Sequence, residues 1–210
     1  MLRGAGDVVR TKQDNFLEMP LPKFDTLFVI DNSVSMASFQ ANTATNLGRA
    51  FDLLASSDSQ FAITTTDPAN GGKLICGAAS PKVISGSTGN AKAKFLQKFS
   101  QLAVTPDLPP VLDVVTAAIS PALLAADNAG LMRPGALHSI VIVTDTDDHS
   151  TSPVSSYIPA LAEYGMTVVA RLFPTPGCTF VNLGAPRLVG AAAAAPFRGE
   201  VCRRVRPDVE

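Results

Sequence analysis

Hydrophobic residues along the chain form two kinds of pattern, short continuous runs and stripes that recur every three to four positions. The runs are typical of strands buried on both faces of a parallel sheet, and they are TLFVI at 26–30, FAITTT at 61–66, SIVIVT at 139–144 and MTVVARLF at 166–173. The stripes predict amphipathic helices between these strands. They run from Phe39 to Leu54, Phe95 to Leu102, Leu112 to Ile119 and Ile158 to Ala162.

Strands that alternate with helices predict right-handed crossovers, and therefore an α/β fold. We expect a doubly wound, mostly parallel central sheet with helices on both faces, as in Rossmann-like domains. One or two short edge strands are expected within 73–84, around Cys76, and the alanines at 191–195 are expected in a final helix. Pro159 can stand only in the first turn of its helix.

Length and composition limit the number of domains and the classes of partner. The chain has 210 residues, of which 46% are hydrophobic, so one sizeable core can form. We expect an N-terminal extension at 1–24 and a single domain over 25–210. The 17 basic and 18 acidic residues give a net charge of −1, which disfavours nucleic acid as a partner. No stretch approaches the roughly 20 apolar residues that span a bilayer.

The segment LFVIDNSVSM carries the first candidate chemistry, because three oxygen-bearing side chains follow a buried strand. Ligands of open α/β sheets bind beyond the carboxyl ends of the strands, and Asp31, Ser33 and Ser35 lie there at a spacing of two. Hydroxyl and carboxylate oxygens suit a hard cation such as Mg²⁺. The alternative is a helix N-cap, for which Asp and Ser are also favoured.

A second carboxylate, Asp145, ends the strand SIVIVT and strengthens the interpretation as a cation site. Neighbouring parallel strands would bring Asp31 and Asp145 to one edge of the sheet. Two carboxylates there repel each other unless a cation lies between them.

These residues resemble the von Willebrand factor A (vWA) family, whose metal-ion-dependent adhesion site (MIDAS) begins with Asp-x-Ser-x-Ser after the first strand. The resemblance implies direct coordination by Ser33, Ser35 and a threonine of a later loop, with Asp31 and Asp145 holding metal-bound waters. Thr105 matches that threonine best, although its loop is rich in proline where the family has glycine. The threonines at 64–66 are the rival candidates.

The stretch TDTDDHS adds Asp147 and Asp148 beside the proposed site. One interpretation is a solvated loop that caps the helix following it. The other is a second acidic layer that orients waters at the metal.

The three cysteines do not have the spacing of a zinc site. Cys178 and Cys202 flank a segment rich in Gly, Pro and Ala. A disulfide between them, with Cys76 free, is one expectation, and buried free thiols are the other.

The resemblance implies a binding module and not an enzyme. Its cofactor would be Mg²⁺, with Mn²⁺ or Ca²⁺ as alternatives, and its partner a protein with an exposed Asp or Glu carboxylate. Similar bacterial proteins are exported or attached to the surface, so we expect adhesion outside the cytoplasm, in the periplasm or at the cell surface. Replacing Asp31 or Asp145 by Ala is expected to abolish cation binding without disturbing the fold, since a polar site of this kind should be exposed.

Two other functions share parts of this pattern. IVIVTDTDD resembles the Asp-x-Asp strand of haloacid-dehalogenase-type phosphohydrolases, in which Asp145 would be the nucleophile and Mg²⁺ the metal. That motif opens its own domain, whereas here only a short segment follows it. A cytoplasmic vWA subunit of an AAA or chelatase-type assembly would use the same metal site with another partner.

Overall fold

The computed structural model describes residues 22–54, 58–77, 80–106, 108–163, 167–172, 178–182 and 200–204. The central sheet contains β1 (Phe24–Ile30), β2 (Ser59–Thr65), β3 (Val83–Ser85), β4 (Leu137–Thr144) and β5 (Thr167–Leu172). A separate antiparallel pair consists of β6 (Cys178–Asn182) and β7 (Glu200–Arg204). The helices are α1 (Gln40–Leu54), α2 (Ala91–Phe99), α3 (Val111–Ala118), α4 (Pro121–Leu124) and α5 (Ile158–Glu163).

The strand order across the sheet is β3-β2-β1-β4-β5, with β1 at its centre. The pairs β1–β2, β1–β4 and β4–β5 are parallel, and only the edge strand β3 runs antiparallel to its neighbour. This arrangement confirms the predicted mostly parallel, Rossmann-like α/β sheet. It also places the carboxyl ends of β1, β2 and β4 side by side.

Both faces of β1 are buried, which explains why its sequence is continuously apolar instead of alternating. Leu27 and Val29 belong to a core cluster that contains the apolar face of α3. Phe28 and Ile30 point the other way, into a cluster with aromatic residues of the α1 and α2 side. Besides Phe28, the aromatic members of that second cluster are Phe51, Phe61, Phe95 and Phe99.

An edge strand is present at the end of the segment 73–84, where one or two were predicted, but in the described part of this segment it begins at Val83 and not around Cys76. Lys98 of α2 is fully buried, and its ammonium donates to the carbonyls of Ile75 (2.6 Å) and Lys82 (2.7 Å). These bonds provide a donor for two backbone carbonyls that lie outside the regular strand. Burial lowers the pKa of Lys98 to about 8, and the nearby Cys76 opposes part of that shift.

Several expectations concern residues outside those that the structure describes. They are the extension at 1–21, the helix at 191–195 and the side chains of Cys178 and Cys202, whose disulfide stays a prediction. Pro159 is the second residue of α5, in its first turn as expected. Within the described residues, none of the helices has both the length and the apolar character needed to cross a bilayer.

Candidate functional site

The candidate site lies where β1 and β4 end side by side. Ile30 is in register with Val143, and the backbone N–H of Asp31 donates to the carbonyl of Val143 at 2.9 Å. Asp31 therefore follows β1 at the edge where Asp145 follows β4. The expectation that both acids lie at the carboxyl edge of neighbouring strands agrees with this register.

Asp31 is fully buried, so the expectation of an exposed site does not hold for this residue. Its Oδ1 accepts the backbone N–H of Ser33 at 2.8 Å, and its Oδ2 accepts the hydroxyl of Thr144 at 2.6 Å. Replacing Asp31 by Ala would leave the N–H of Ser33 without this acceptor, whereas the hydroxyl of Thr144 could still donate to the carbonyl of Thr146 at 3.3 Å. Losing a buried acceptor costs about 1–3 kcal/mol. The expectation that the fold stays intact remains a prediction, but we expect Asp31→Ala to lower the free energy of unfolding by this amount.

A chain of side-chain oxygens links the first loop to the loop after β4. Ser33 Oγ lies 3.1 Å from Ser35 Oγ, and the hydroxyl of Ser35 donates to Asp145 Oδ1 at 3.0 Å. Ser33 precedes the 3-10 turn Val34–Ser38, yet its side chain makes no capping hydrogen bond. The N-cap interpretation is therefore wrong for Ser33, whose hydroxyl bonds toward Ser35 instead.

Thr105 reaches the same loop through its backbone. It forms an isolated parallel bridge with Ser33, and its N–H donates to the carbonyl of Asn32 at 2.9 Å. The rival Thr64 is fully buried, and its hydroxyl donates to the carbonyl of Lys73 at 2.9 Å. Thr66 contacts the side chain of Asn32 at 3.4 Å. Of the candidate threonines, Thr105 is the one whose backbone is paired with Ser33.

Asp147 and Asp148, which follow Asp145 in the TDTDDHS loop, are exposed, and the structure gives Asp148 a defined partner. Asp148 Oδ1 accepts the backbone N–H of Leu112 at 3.3 Å, in the first turn of α3. One of the two interpretations was a loop that caps the helix following it, whereas Asp148 caps a helix that precedes it. A side chain can cap any helix start that lies near it in space, so the order of the elements along the chain does not identify which helix Asp148 caps.

The carboxylates of this edge have no cationic side chain beside them in the described part of the chain. The ion pairs among these residues involve neither Asp31 nor Asp145. The described residues also contain no group of three or more His, Cys, Asp and Glu side chains that could hold a metal. Any cation here would depend on hydroxyl oxygens as well as on the two carboxylates.

Two residues of the site had no role in the sequence analysis. Asn32 is buried, and its side-chain amide donates to the carbonyl of Ala103 at 2.7 Å, which ties the first loop to the Thr105 loop. Thr144 donates to Asp31 from the end of β4. A polar residue directly after the apolar run at 140–143 is a signal that could have identified Thr144.

Comparison with known proteins identifies the fold. No family model matches the chain, and no curated protein sequence matches it. Proximal thread matrix protein 1 (PTMP1) from the mussel byssus has a similar structure in its crystal form 2, with a TM-score of 0.50 and 14% identity over 73% of this chain. A second PTMP1 structure, described with a zinc-occupied MIDAS motif, gives the same values. The chain spans 38% of the length of PTMP1. At this identity the similarity shows a vWA-like α/β fold.

Proposed function

We propose that this domain binds one divalent cation at the carboxyl edge of its sheet and uses it to hold a carboxylate of a protein partner. Ser33, Ser35 and Thr105 would coordinate the ion directly. Asp31 and Asp145 would hold water molecules bound to it. The observation that carries the proposal is the line of closely spaced oxygens from Ser33 through Ser35 to Asp145.

The spacing of those oxygens fits a small octahedral ion. Neighbouring ligands of such an ion, at 2.0–2.1 Å from it, lie about 3 Å apart. Ser33 Oγ and Ser35 Oγ, two of the proposed direct ligands, are 3.1 Å apart. Asp145 Oδ1 accepts the hydroxyl of Ser35 at 3.0 Å, which places it beside the position where it would hold a metal-bound water. A cation would replace the hydrogen bonds among these groups without requiring the loops to separate.

The chemistry of the donors favours Mg²⁺, with Mn²⁺ or Ca²⁺ as alternatives. All five proposed groups present oxygen, which hard cations prefer, whereas zinc sites are commonly built from Cys and His. The zinc at the MIDAS motif of PTMP1 supports a divalent ion at the corresponding position of a similar fold.

The same donors favour binding over hydrolysis. Three of them are neutral, so the ion would keep much of its positive charge and attract an incoming carboxylate. Ser35 is exposed and Asp145 is partly exposed, which leaves the site open to a partner. We therefore propose a protein with an accessible Asp or Glu as the partner and adhesion outside the cytoplasm as the role.

Cation binding is tested by thermal unfolding and calorimetry of the intact chain with Mg²⁺ and with Mn²⁺. We expect the wild type to be stabilised by each ion, because an ion that binds only the folded state shifts the unfolding equilibrium. Ser35→Ala removes one direct ligand and breaks the oxygen chain, so its Kd for Mg²⁺ should rise by at least tenfold.

Ser38→Ala is the matched control, since Ser38 is an exposed serine of the same 3-10 turn. It should bind Mg²⁺ as the wild type does. Equal affinity of the wild type and Ser35→Ala would overturn the proposal. Hydrolysis of p-nitrophenyl phosphate in the presence of Mg²⁺ that is lost in Asp145→Asn would favour the phosphohydrolase alternative instead.

A further inference from the structure

Helix α3 is capped by a distant loop and not by its own N-terminal residue. Its N-cap position is Pro110, whose side chain accepts no hydrogen bond. The first-turn N–H groups of Leu112 and Asp113 instead donate to Asp148 Oδ1 at 3.3 Å and to Ser150 Oγ at 2.9 Å. The donors that a helix start leaves unpaired are thus satisfied by the loop that follows β4.

The helix bonds back to that loop through the carboxylate of Asp113. Its Oδ2 accepts the backbone N–H of Thr151 at 3.0 Å, and its Oδ1 accepts the hydroxyl of Tyr157. Tyr157 is buried, and its oxygen in turn accepts the N–H of Ser152 at 3.0 Å. We call these reciprocal bonds, from 112–113 to 148–152 and Tyr157, the cross-loop clamp.

The clamp holds an ionised carboxylate at neutral pH. Partial burial disfavours the charge of Asp113, but hydrogen bonds from Tyr157 and Thr151 outweigh it, and the pKa falls below the usual value. A negative charge in the first turn of a helix is also stabilised by the helix dipole. The charged carboxylate of Asp113 therefore accepts the hydrogen bonds of Thr151 and Tyr157 and joins the two segments.

Each of the two clamped segments is continuous in the chain with a loop that carries a residue of the proposed metal site. We call these loops the Thr105 arm and the Asp145 arm. The chain before α3 is the proline-rich loop that begins at Thr105, and its Pro109 carbonyl accepts the N–H of His149 at 3.1 Å. The chain before Asp148 begins at Asp145. The fixed φ of the prolines limits how far Thr105 can move relative to α3.

We infer that Asp113 and Tyr157 are positioning residues, which set the separation of the Thr105 arm from the Asp145 arm. The inference rests on the proposed metal site, and it predicts a change in the preference between Mg²⁺ and Ca²⁺ as well as a change in affinity. Mg²⁺ requires near-ideal octahedral geometry, whereas Ca²⁺ accepts looser and larger shells. Loosening the clamp should therefore weaken Mg²⁺ binding more than Ca²⁺ binding.

The test compares Kd values for Mg²⁺ and Ca²⁺ in the full chain by calorimetry, at a temperature where every variant is folded. Tyr157→Phe removes one hydroxyl from a buried ring, and Asp113→Asn removes the charge. We expect Mg²⁺ affinity to fall about tenfold, as for other groups that support metal ligands, with a smaller change for Ca²⁺. Thr116→Ala is the control, because Thr116 bonds only to carbonyls of its own helix.

A second measurement is hydrogen exchange of the metal-free protein. The amides of Leu112 and Asp113 should lose protection in Asp148→Ala and keep it in Thr116→Ala.

Unchanged Mg²⁺ and Ca²⁺ affinities in Tyr157→Phe and Asp113→Asn would overturn the inference while the metal site stands. Equal weakening for both ions would indicate a purely structural role and would also overturn it. A wild type that binds neither ion would remove the proposed function, and this inference with it.

Discussion

Strand β1 carries one fully buried aspartate near its start and is followed by another at its end. The two carboxylates have different hydrogen-bonding partners. Asp25 faces Arg133, whose backbone N–H, Nε and Nη2 lie 2.6, 2.8 and 2.7 Å from its carboxylate oxygens. Asp31 receives one backbone N–H and one hydroxyl, both neutral. Both side chains have 0% exposure, so burial alone does not distinguish them.

The two edges of the sheet therefore differ in whether the protein itself supplies a cation for the buried carboxylate. A buried carboxylate is costly unless it is paired or well hydrogen-bonded. The amino edge contains its own cation, so it needs nothing from solution. The carboxyl edge, within the described residues, has two acids and no cationic side chain, and this is the condition under which a dissolved cation would be most stabilising.

The amino edge should depend strongly on its internal cation. Arg133→Met keeps most of the side-chain volume but leaves the Asp25 charge buried without its partner, which typically costs about 3–5 kcal/mol. Urea unfolding measures this loss, and Arg49→Met, at an exposed arginine, provides the control. Mg²⁺ should stabilise this variant and the wild type by the same amount, and so leave the difference between them unchanged, because its proposed site is at the other edge. A loss below about 0.5 kcal/mol, within the range of an ordinary surface substitution, would contradict this view of the pair.

The carboxyl edge should depend on an external cation instead. At a Mg²⁺ concentration of 100 times Kd, the wild type should gain about 2.7 kcal/mol of stability. Asp31→Asn should lose that gain, whereas Asp25→Asn should keep it even though its metal-free form is less stable. Thermal unfolding with Mg²⁺ and with EDTA measures both quantities. An equal gain in the two variants would end the distinction between the edges.

The sequence predicted the carboxyl edge much better than the amino edge. A buried strand that ends in Asp31, and another that ends in Asp145, are local patterns, and the rule for ligand sites in α/β sheets connects them. The pair of Asp25 and Arg133 joins residues separated by 108 positions. No local periodicity marks such a pair, so Arg133 was given no role.

Other contacts escaped the sequence for the same physical reason. The bonds from Lys98 to the carbonyls before β3, and from Asp148 to α3, are made by side chains that reach backbone groups far away in the chain. Hydrophobic periodicity predicts which face of an element is buried. It does not predict which distant polar group satisfies a helix end or an unpaired carbonyl.

The smallest effect is expected at Asp145 in the metal-free protein. Asp145→Asn keeps an oxygen that can accept the hydroxyl of Ser35 but removes one of the two like charges at this edge. Because the side chain is partly exposed, the change in stability should be within about 0.5 kcal/mol, and its sign should be stabilising. In 1 M NaCl the Debye length falls to about 3 Å, so the difference from the wild type should shrink. Urea unfolding in EDTA at low and high salt measures it. A destabilisation that does not change with salt would mean that Asp145 acts through its hydrogen bond and not through its charge, and the repulsion between the acids would then contribute nothing to cation binding.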